Sequence, residues 1–396
     1  MMENKKIIYV DNNATTAVDP EVFAVMQPFF CEQYGNPSSI HSFGGNVAAP
    51  INKAREQVAD LLGIKNRNKL GEATEIIFTS CGTESDNAAI YSALQLCPKK
   101  KKVVMSKVEH PAVLSVGKEL ERRGYHVEYI PVDKKGRLDM ARLGDMVDDN
   151  TALVSVMWAN NETGNIYPVE AIAAIAHQHG ALFHTDAVQA VGKVPINLSE
   201  SAIDMLSLSG HKLHAPKGIG ALYIKRGIRF RPFIAGGHQE KGRRGGTENV
   251  ASIVALGKAC ELAGQHLETE NSFVRKLRDR LEQTILESMP SIRINGDIEN
   301  RLPNTTCISF EFIEGESILM RLDQHGICAS SGSACTTGSL EPSHVLRAMG
   351  VPYTAAHGAI RFSFSRFNCE ADVDKIIEVL PPIIEWLREM SPFWEK

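Results

Sequence analysis

Between Glu75 and Lys225 short apolar, β-rich runs alternate with segments of helix length, and few architectures accept that rhythm. "EIIFTS" (75–80) precedes a helical run from Glu84 to Leu96, and "KVVMS" (102–106) precedes another from Ala112 to Arg123. "HVEYIPV", "TALVSVMW" and "ALFHTDAV" continue the series, with "PVEAIAAIAHQHG" (168–180) as the helix before the last of them. "DMLSLSG" (204–210) and "GALYIK" (220–225) close it. Such alternation predicts an α/β fold with a mainly parallel sheet covered by helices on both faces. After about Ala263 the pattern changes. A long charged helix, "NSFVRKLRDRLEQTILESM", leads into "IRING" and "NTTCISFEF". A helix at Glu316–His325, the run "AIRFSFSR" (359–366) and a C-terminal helix from about Ala371 follow. This predicts a smaller α+β domain joined by the N-terminal segment, so that residues 16–262 form the large domain and 1–15 with 263–396 the small one.

Composition narrows the function classes. Hydrophobic residues make up 43% of the 396 and charged ones 23%, as in an ordinary soluble protein with a sizeable core. The net charge of −4 offers no nucleic-acid surface. "KKKK" (99–102) reads as a solvated connection before a strand. The opening "MMENKKIIYVD" lacks the apolar stretch of a signal peptide, and no apolar run nears the ~20 residues of a membrane span. Eight scattered cysteines without a C-x-x-C predict a reduced, cytoplasmic protein, with Cys97, Cys260 and Cys307 as core fillers. His and Cys residues never fall at zinc-ligand spacing.

Ligands of open α/β sheets bind beyond the carboxyl ends of the strands, so the residues that follow each strand are the candidate site. After "EIIFTS" come Gly82 and Thr83, opening a helix whose first N–H groups suit a phosphate. His110 follows "KVVMS", and Asn160 and Asn161 follow "TALVSVMW". "FHTDAVQA" carries Asp186 and Gln189, while "LSLSGHK" carries Ser209, His211 and Lys212. Taken singly, each has an ordinary explanation: a cap, a structural histidine, a turn. Their coincidence at successive strand ends is what counts. The strand ends carry neither a Walker-type loop nor a G-x-G-x-x-G. Instead they supply a phosphate cup, a histidine, a carboxylate and a lysine, which are the needs of pyridoxal phosphate.

"FHTDAVQAVGKVPI", "LSLSGHKLHAPKGIGALY", "GGHQEKGRRGGTENV" and "SSGSACTTGSLEPSHVLRAMG" resemble the cysteine desulfurases, fold-type-I pyridoxal-phosphate enzymes of the class-V aminotransferase kind. With "MWANNETG" and "VPYTAAHGAIRFSFSR" the wording is most similar to the NifS branch, and the similarity covers nearly the whole chain. The resemblance implies that Lys212 binds the cofactor, Asp186 pairs with its pyridinium, Gln189 bonds its phenolic oxygen and His110 stacks on the ring and serves as acid or base. It further implies that Gly82, Thr83, Ser209 and His211 hold the phosphate, with Thr247 donated by the second subunit of a homodimer. Asn161 and Arg361 would bind the substrate carboxylate, a guanidinium being the usual bidentate clamp. Cys81 is expected to be a packing residue.

The resemblance also gives a role to Cys335, which stands in a run of Gly, Ser, Ala and Thr that cannot build a core. Its thiolate would take sulfur from L-cysteine, leaving alanine and a persulfide on Cys335, and pass it to an acceptor or iron–sulfur scaffold protein. Contact with iron, if any, would come through that persulfide. Nitrogenase maturation is the expected destination, with a housekeeping iron–sulfur role as its alternative. Two other readings stay open: a selenocysteine lyase or aminotransferase on the same fold, and a scaffold with a relic site.

Overall fold

A computed structural model describes residues 7–68, 72–331 and 341–394. The first strand is β1 (Ile8–Tyr9). Seven more follow: β2 (Ile76–Thr79), β3 (Lys102–Ser106), β4 (His126–Ile130), β5 (Thr151–Ser155), β6 (Leu182–Asp186), β7 (Met205–Ser209) and β8 (Gly220–Ile224). These seven form one sheet in the order β2-β8-β7-β6-β5-β3-β4. The pairs β3/β4, β3/β5, β5/β6 and β6/β7 are parallel, whereas β8 runs antiparallel to both β7 and β2. Residues 210–219 between β7 and β8 are too few for the helical crossover of about a dozen residues that a parallel return needs. Strands β2, β3, β5, β7 and β8 are buried at every position, as a sheet covered on both faces requires.

One expectation about local structure is corrected. Lys102 is no solvated linker residue: it opens β3, is buried, and places Nζ 2.8 Å from Glu128 Oε1 and 3.1 Å from Asp148 Oδ2. Its neighbour Lys100 donates to the carbonyls of Thr151, His179 and Gly180. The charged helix after Ala263 is present and unbroken, but it does not begin as an α-helix. A π turn, Glu270–Val274, precedes the α-helix Arg275–Ser288. Of the cysteines expected in cores, Cys260 and Cys307 are buried and Cys97 is half-buried.

The remaining strands are β9 (Ile292–Ile294), β10 (Thr305–Phe310), β11 (Ile327–Cys328), β12 (Ser330–Ser331) and β13 (Ala359–Ser363). An antiparallel sheet runs β12-β13-β10-β9, and β11 pairs parallel with β1. Val10, Leu281, Ile308, Phe362 and Ile376 belong to the core that joins this sheet to the helices Arg275–Ser288 and Glu370–Met390. The core under the large sheet draws on residues far down the chain, including Leu302, Cys307, Val345 and Ala359.

The loop after β5 is strapped to the second sheet. Leu302 N donates to Gly164 O (2.8 Å), Ile166 N to Asn300 O (3.1 Å) and Asp297 N to Asn165 Oδ1 (2.8 Å). Gly164 takes φ +79, a left-handed conformation that glycine adopts without strain. Behind the strap, Arg301 forms two parallel 2.7 Å bonds with Glu282, which also accepts from Thr306 Oγ1. Burial alone would raise the Glu282 carboxyl; the bonds and charge of Arg301 outweigh it and hold the group below its usual range. Glu282→Gln leaves a buried guanidinium unpaired and is expected to cost about 3 kcal/mol of stability at pH 7. Because the folded-state pKa is depressed, the wild-type advantage exists above the unfolded value of ~4.3 and fades as pH falls below it. Urea unfolding at pH 7 and at pH 4 checks both: midpoints that coincide at pH 7, or a gap that widens in acid, contradict this role.

Candidate active site

A cavity of about 220 Å³ opens at the carboxyl ends of the large sheet. Gly82, Thr83, His110, Asn161, Asp186, Gln189, Ser209, His211, Lys212 and Arg361 all line it. Thr247 does not; it is exposed. Cys335 lies outside the described residues. A larger hollow of about 420 Å³, with Phe312, Tyr353, Leu387 and Phe393 in its walls, contains none of these groups.

At one end of the cavity β2 leads through Cys81 into the helix Gly82–Leu96, which begins without a side-chain capping bond. Its first N–H groups therefore point at whatever occupies the cavity end, with the positive end of the helix dipole behind them. Glycine at 82 keeps the approach clear: a Cβ there would stand 2.8 Å from Val188 Cγ2 and force that side chain to shift. Ser209 Oγ is buried with no hydrogen-bond partner. His211 Nδ1 lies 3.2 Å from Thr15 Oγ1, and burial, reinforced by Lys212, pushes its imidazole down to about 4. A neutral histidine, a hydroxyl and open amides make a donor-rich cup.

The middle of the cavity holds Asp186, Gln189, His110 and Lys212. Asp186 ends β6 and accepts from Val188 N at 2.9 Å. Burial raises its carboxyl, while His110 and Lys212 pull it back. His110 caps the helix Pro111–Arg122, its Nδ1 accepting from Ala112 N at 3.1 Å. That bond assigns the proton of the neutral ring to Nε2. Burial lowers the His110 imidazole and Lys212 adds to the effect, against Asp186. Lys212 Nζ donates to the carbonyls of Asn13 (2.6 Å) and Ala14 (2.5 Å). Gln189 Nε2 donates to the same Asn13 carbonyl at 2.9 Å, which leaves its Oε1 buried and without a partner.

Arg361, on β13 of the second sheet, closes the other side. Its guanidinium is already engaged: Nη2 donates to Asp11 Oδ1 (2.7 Å) and Nη1 to the Asn161 carbonyl (2.9 Å). The Nε–H remains buried and unpartnered.

Sequence reasoning passed over several of these groups. Asn13 and Ala14 act through backbone carbonyls, which no side-chain motif reveals, although "YVDNNATT" was a visible polar stretch after the first strand. Asp11 was likewise missed, as was Asp86 inside "TESDN". Cys81, expected to be a packing residue beside the phosphate cup, is half-buried and lines the cavity next to Gly82. Among the described residues no group of three or more His, Cys, Asp or Glu is placed to hold a metal, and no helix is long and apolar enough to cross a membrane.

The class-V aminotransferase family pattern matches residues 8–376. A cysteine desulfurase of Gluconacetobacter diazotrophicus is 61% identical over 98% of this chain and 96% of its own length. The cysteine desulfurase NifS of Azotobacter vinelandii is 58% identical over 98% and 95%. A solved NifS-like protein superimposes with a TM-score of 0.88 at 39% identity, covering 97% of this chain and 100% of that one. With the fold-type-I architecture, the cavity and likeness of this extent, the chain belongs to the class-V aminotransferase family, among the cysteine desulfurases.

Proposed function

We propose that the chain is a pyridoxal-phosphate-dependent enzyme that removes sulfur from L-cysteine, giving L-alanine and a persulfide on Cys335. The observation that carries this reading is the convergence in one cavity of an open helix end, the unpartnered Ser209 Oγ, the unpartnered Gln189 Oε1, Asp186 and Lys212. That donor set fits a phosphorylated hydroxypyridine aldehyde. Gly82, Thr83, Ser209 and His211 would hold its phosphate, Gln189 its phenolic oxygen, Asp186 its ring nitrogen and Lys212 its aldehyde carbon, with His110 against the ring face. When bound, the cofactor supplies an electron sink that makes the α-hydrogen of an amino acid acidic.

The protein's own residues do the rest. Arg361, with its free Nε–H, and Asn161 hold the substrate carboxylate. Lys212, as a neutral amine, would take the α-proton and return it within the site. The Cys335 thiolate then attacks the substrate sulfur, the nucleophilic form of a cysteine being the thiolate. An S–S bond forms, the C–S bond of the substrate breaks, and its electron pair is protonated on the carbon that becomes the alanine methyl. Atoms balance: L-cysteine and a thiol become L-alanine and a persulfide. Of the described residues on either side of Cys335, Ser330 pairs with the cavity-lining Arg361 and Ser343 donates to Glu162, next to the cavity-lining Asn161.

A homodimer completes the reading. Phe23, Phe30, Tyr34, Ile40 and Phe43, with Phe233 and Ile234, are exposed on the surface of one chain, and a second copy would cover them. Thr247 would then serve the partner's cavity. A large unit of residues 16–262 and a smaller one of 1–15 and 263–396 would meet at that cavity. The NifS likeness supports delivery of the persulfide sulfur to an iron–sulfur scaffold, with nitrogenase maturation as the destination, in the cytoplasm.

Lys212→Ala is expected to abolish alanine production, and borohydride reduction of the loaded wild type should fix the cofactor on Lys212. Cofactor found on another lysine contradicts the assignment. Asp186→Ala should bind cofactor and lose most activity, since a neutral ring is a poor sink; desulfuration at the wild-type rate would remove Asp186 from that role. Cys335→Ala should keep the yellow colour and exchange the α-hydrogen of L-cysteine with solvent, yet release no sulfur. Alanine formed by that variant at the wild-type rate would instead favour a lyase or aminotransferase.

A further inference from the structure

Asp86 has no part in the chemistry just described, yet it lines the same cavity as Asp186. It sits in the second turn of the helix Gly82–Leu96 and is 1% exposed. Its Oδ1 has no hydrogen-bond partner. The basic nitrogen beside it is His184 Nε2, at 3.6 Å. That ring is no counter-ion: burial pushes His184 down to about 3 and keeps it neutral. His184 is fixed on both sides, Nδ1 lying 2.9 Å from Ser155 Oγ and Nε2 2.9 Å from Ser207 Oγ. Ser207 stands opposite Asp186 in the β6/β7 pairing, and His184 is two residues before Asp186 on the same face of β6. Asp86, His184 and Ser207 thus form a dry polar layer flanking Asp186.

The groups that bear on Asp86 come from every neighbouring element. Burial is the largest influence and raises its carboxyl well above the usual range. Asp186 on β6, Glu109 from the segment after β3 and Cys81 at the head of its own helix push the same way; only the Ser207 hydroxyl opposes them. Two neighbouring buried carboxyls resist ionising together. Asp186 has His110 and Lys212 to favour its anion. The asymmetry selects which of the two stays protonated.

We propose that Asp86 is a positioning residue acting through Asp186: it keeps its proton inside this layer and so leaves Asp186 as the anion that meets the cofactor ring. The proposal rests on the reading of the cavity as a pyridoxal-phosphate site, and its test separates the two. In cofactor-free protein at neutral pH, the infrared difference between wild type and Asp86→Asn should contain a carboxylic-acid carbonyl band. A carboxylate signal in its place overturns the proposal, whether or not cofactor binds. In the loaded enzyme, Asp86→Ala should lower kcat about tenfold with KM for L-cysteine changed less than about twofold, while Asp86→Asn, a neutral isostere, should recover most of the loss. An Asn variant as impaired as the Ala variant overturns it too. Should the Ala variant fail to fold, the infrared band and the Asn variant decide alone. A wild type that takes up no cofactor would sink the reading of the site and leave the infrared result standing.

Discussion

Asn13 is the residue through which the two sheets and the lysine are held in register. Its Nδ2 donates to Thr305 Oγ1 (2.8 Å) on β10 and to the Asn161 carbonyl (3.1 Å) in the loop after β5. Its own amide donates to Ser363 Oγ on β13, and its Oδ1 accepts from Asn304. Its carbonyl then receives Lys212 Nζ and Gln189 Nε2. Asn13 is buried, so a bond lost from it has little water to replace it. Each bond is worth only about 1 kcal/mol net, but a group left unmet there costs more, about 1–3 kcal/mol. The arrangement is therefore all or nothing: the small sheet, the large sheet and the amine of Lys212 take their positions together.

The cavity that results is electrically unfinished. Burial raises Asp186 and Asp86, and raises Glu109 behind His110 to about 8. It lowers His110, His211 and His184. All six are pushed towards their neutral forms, which is what removal of water does to isolated charges. A ligand that carries an anionic group at one end and a protonatable nitrogen at the other brings the missing partners. At an effective dielectric near 20, each opposite charge placed about 4 Å away is worth roughly 4 kcal/mol. The Asp86 proposal follows from the same balance, since a dry layer with no cation of its own favours a proton on Asp86.

What could be read from the sequence was whatever has a period or sits at a strand end. Strands β2 to β8 announced themselves because a doubly covered sheet needs unbroken apolar runs, and the strand-end rule then picked out Gly82, His110, Asp186, Ser209 and Lys212. The antiparallel course of β8 was not legible from its residues, which would suit either direction; it follows from the shortness of 210–219. Lys102 was misread because a lysine in a run of four looks solvated until Glu128 and Asp148 are known to flank it. Asp11, Asn13 and Asp86 escaped for a related reason. Their partners lie 350, 292 and 98 positions away along the chain for the bonds to Arg361 and Thr305 and the approach to His184, and no local pattern encodes such pairs.

Arg361 shows how a binding group can be both occupied and ready. Asp11 and the Asn161 carbonyl hold two of its nitrogens, so the fork is fixed before any substrate arrives. The Nε–H is left buried and unpaired, a penalty of about 1–3 kcal/mol that any acceptor reaching it would relieve. On the proposed function, a substrate carboxylate would meet a donor already oriented, at little cost in side-chain ordering. The same guanidinium lies beside Glu162, whose carboxyl burial raises to about 7 while the Ser343 bond and Arg361 draw it down. Ser330, opposite Arg361, and Ser343, on Glu162, are the described residues that bracket the segment with Cys335. On the proposed function, substrate grip and the anchors of the segment with Cys335 would rest on one cluster of side chains, so a change at Arg361 would be felt at both.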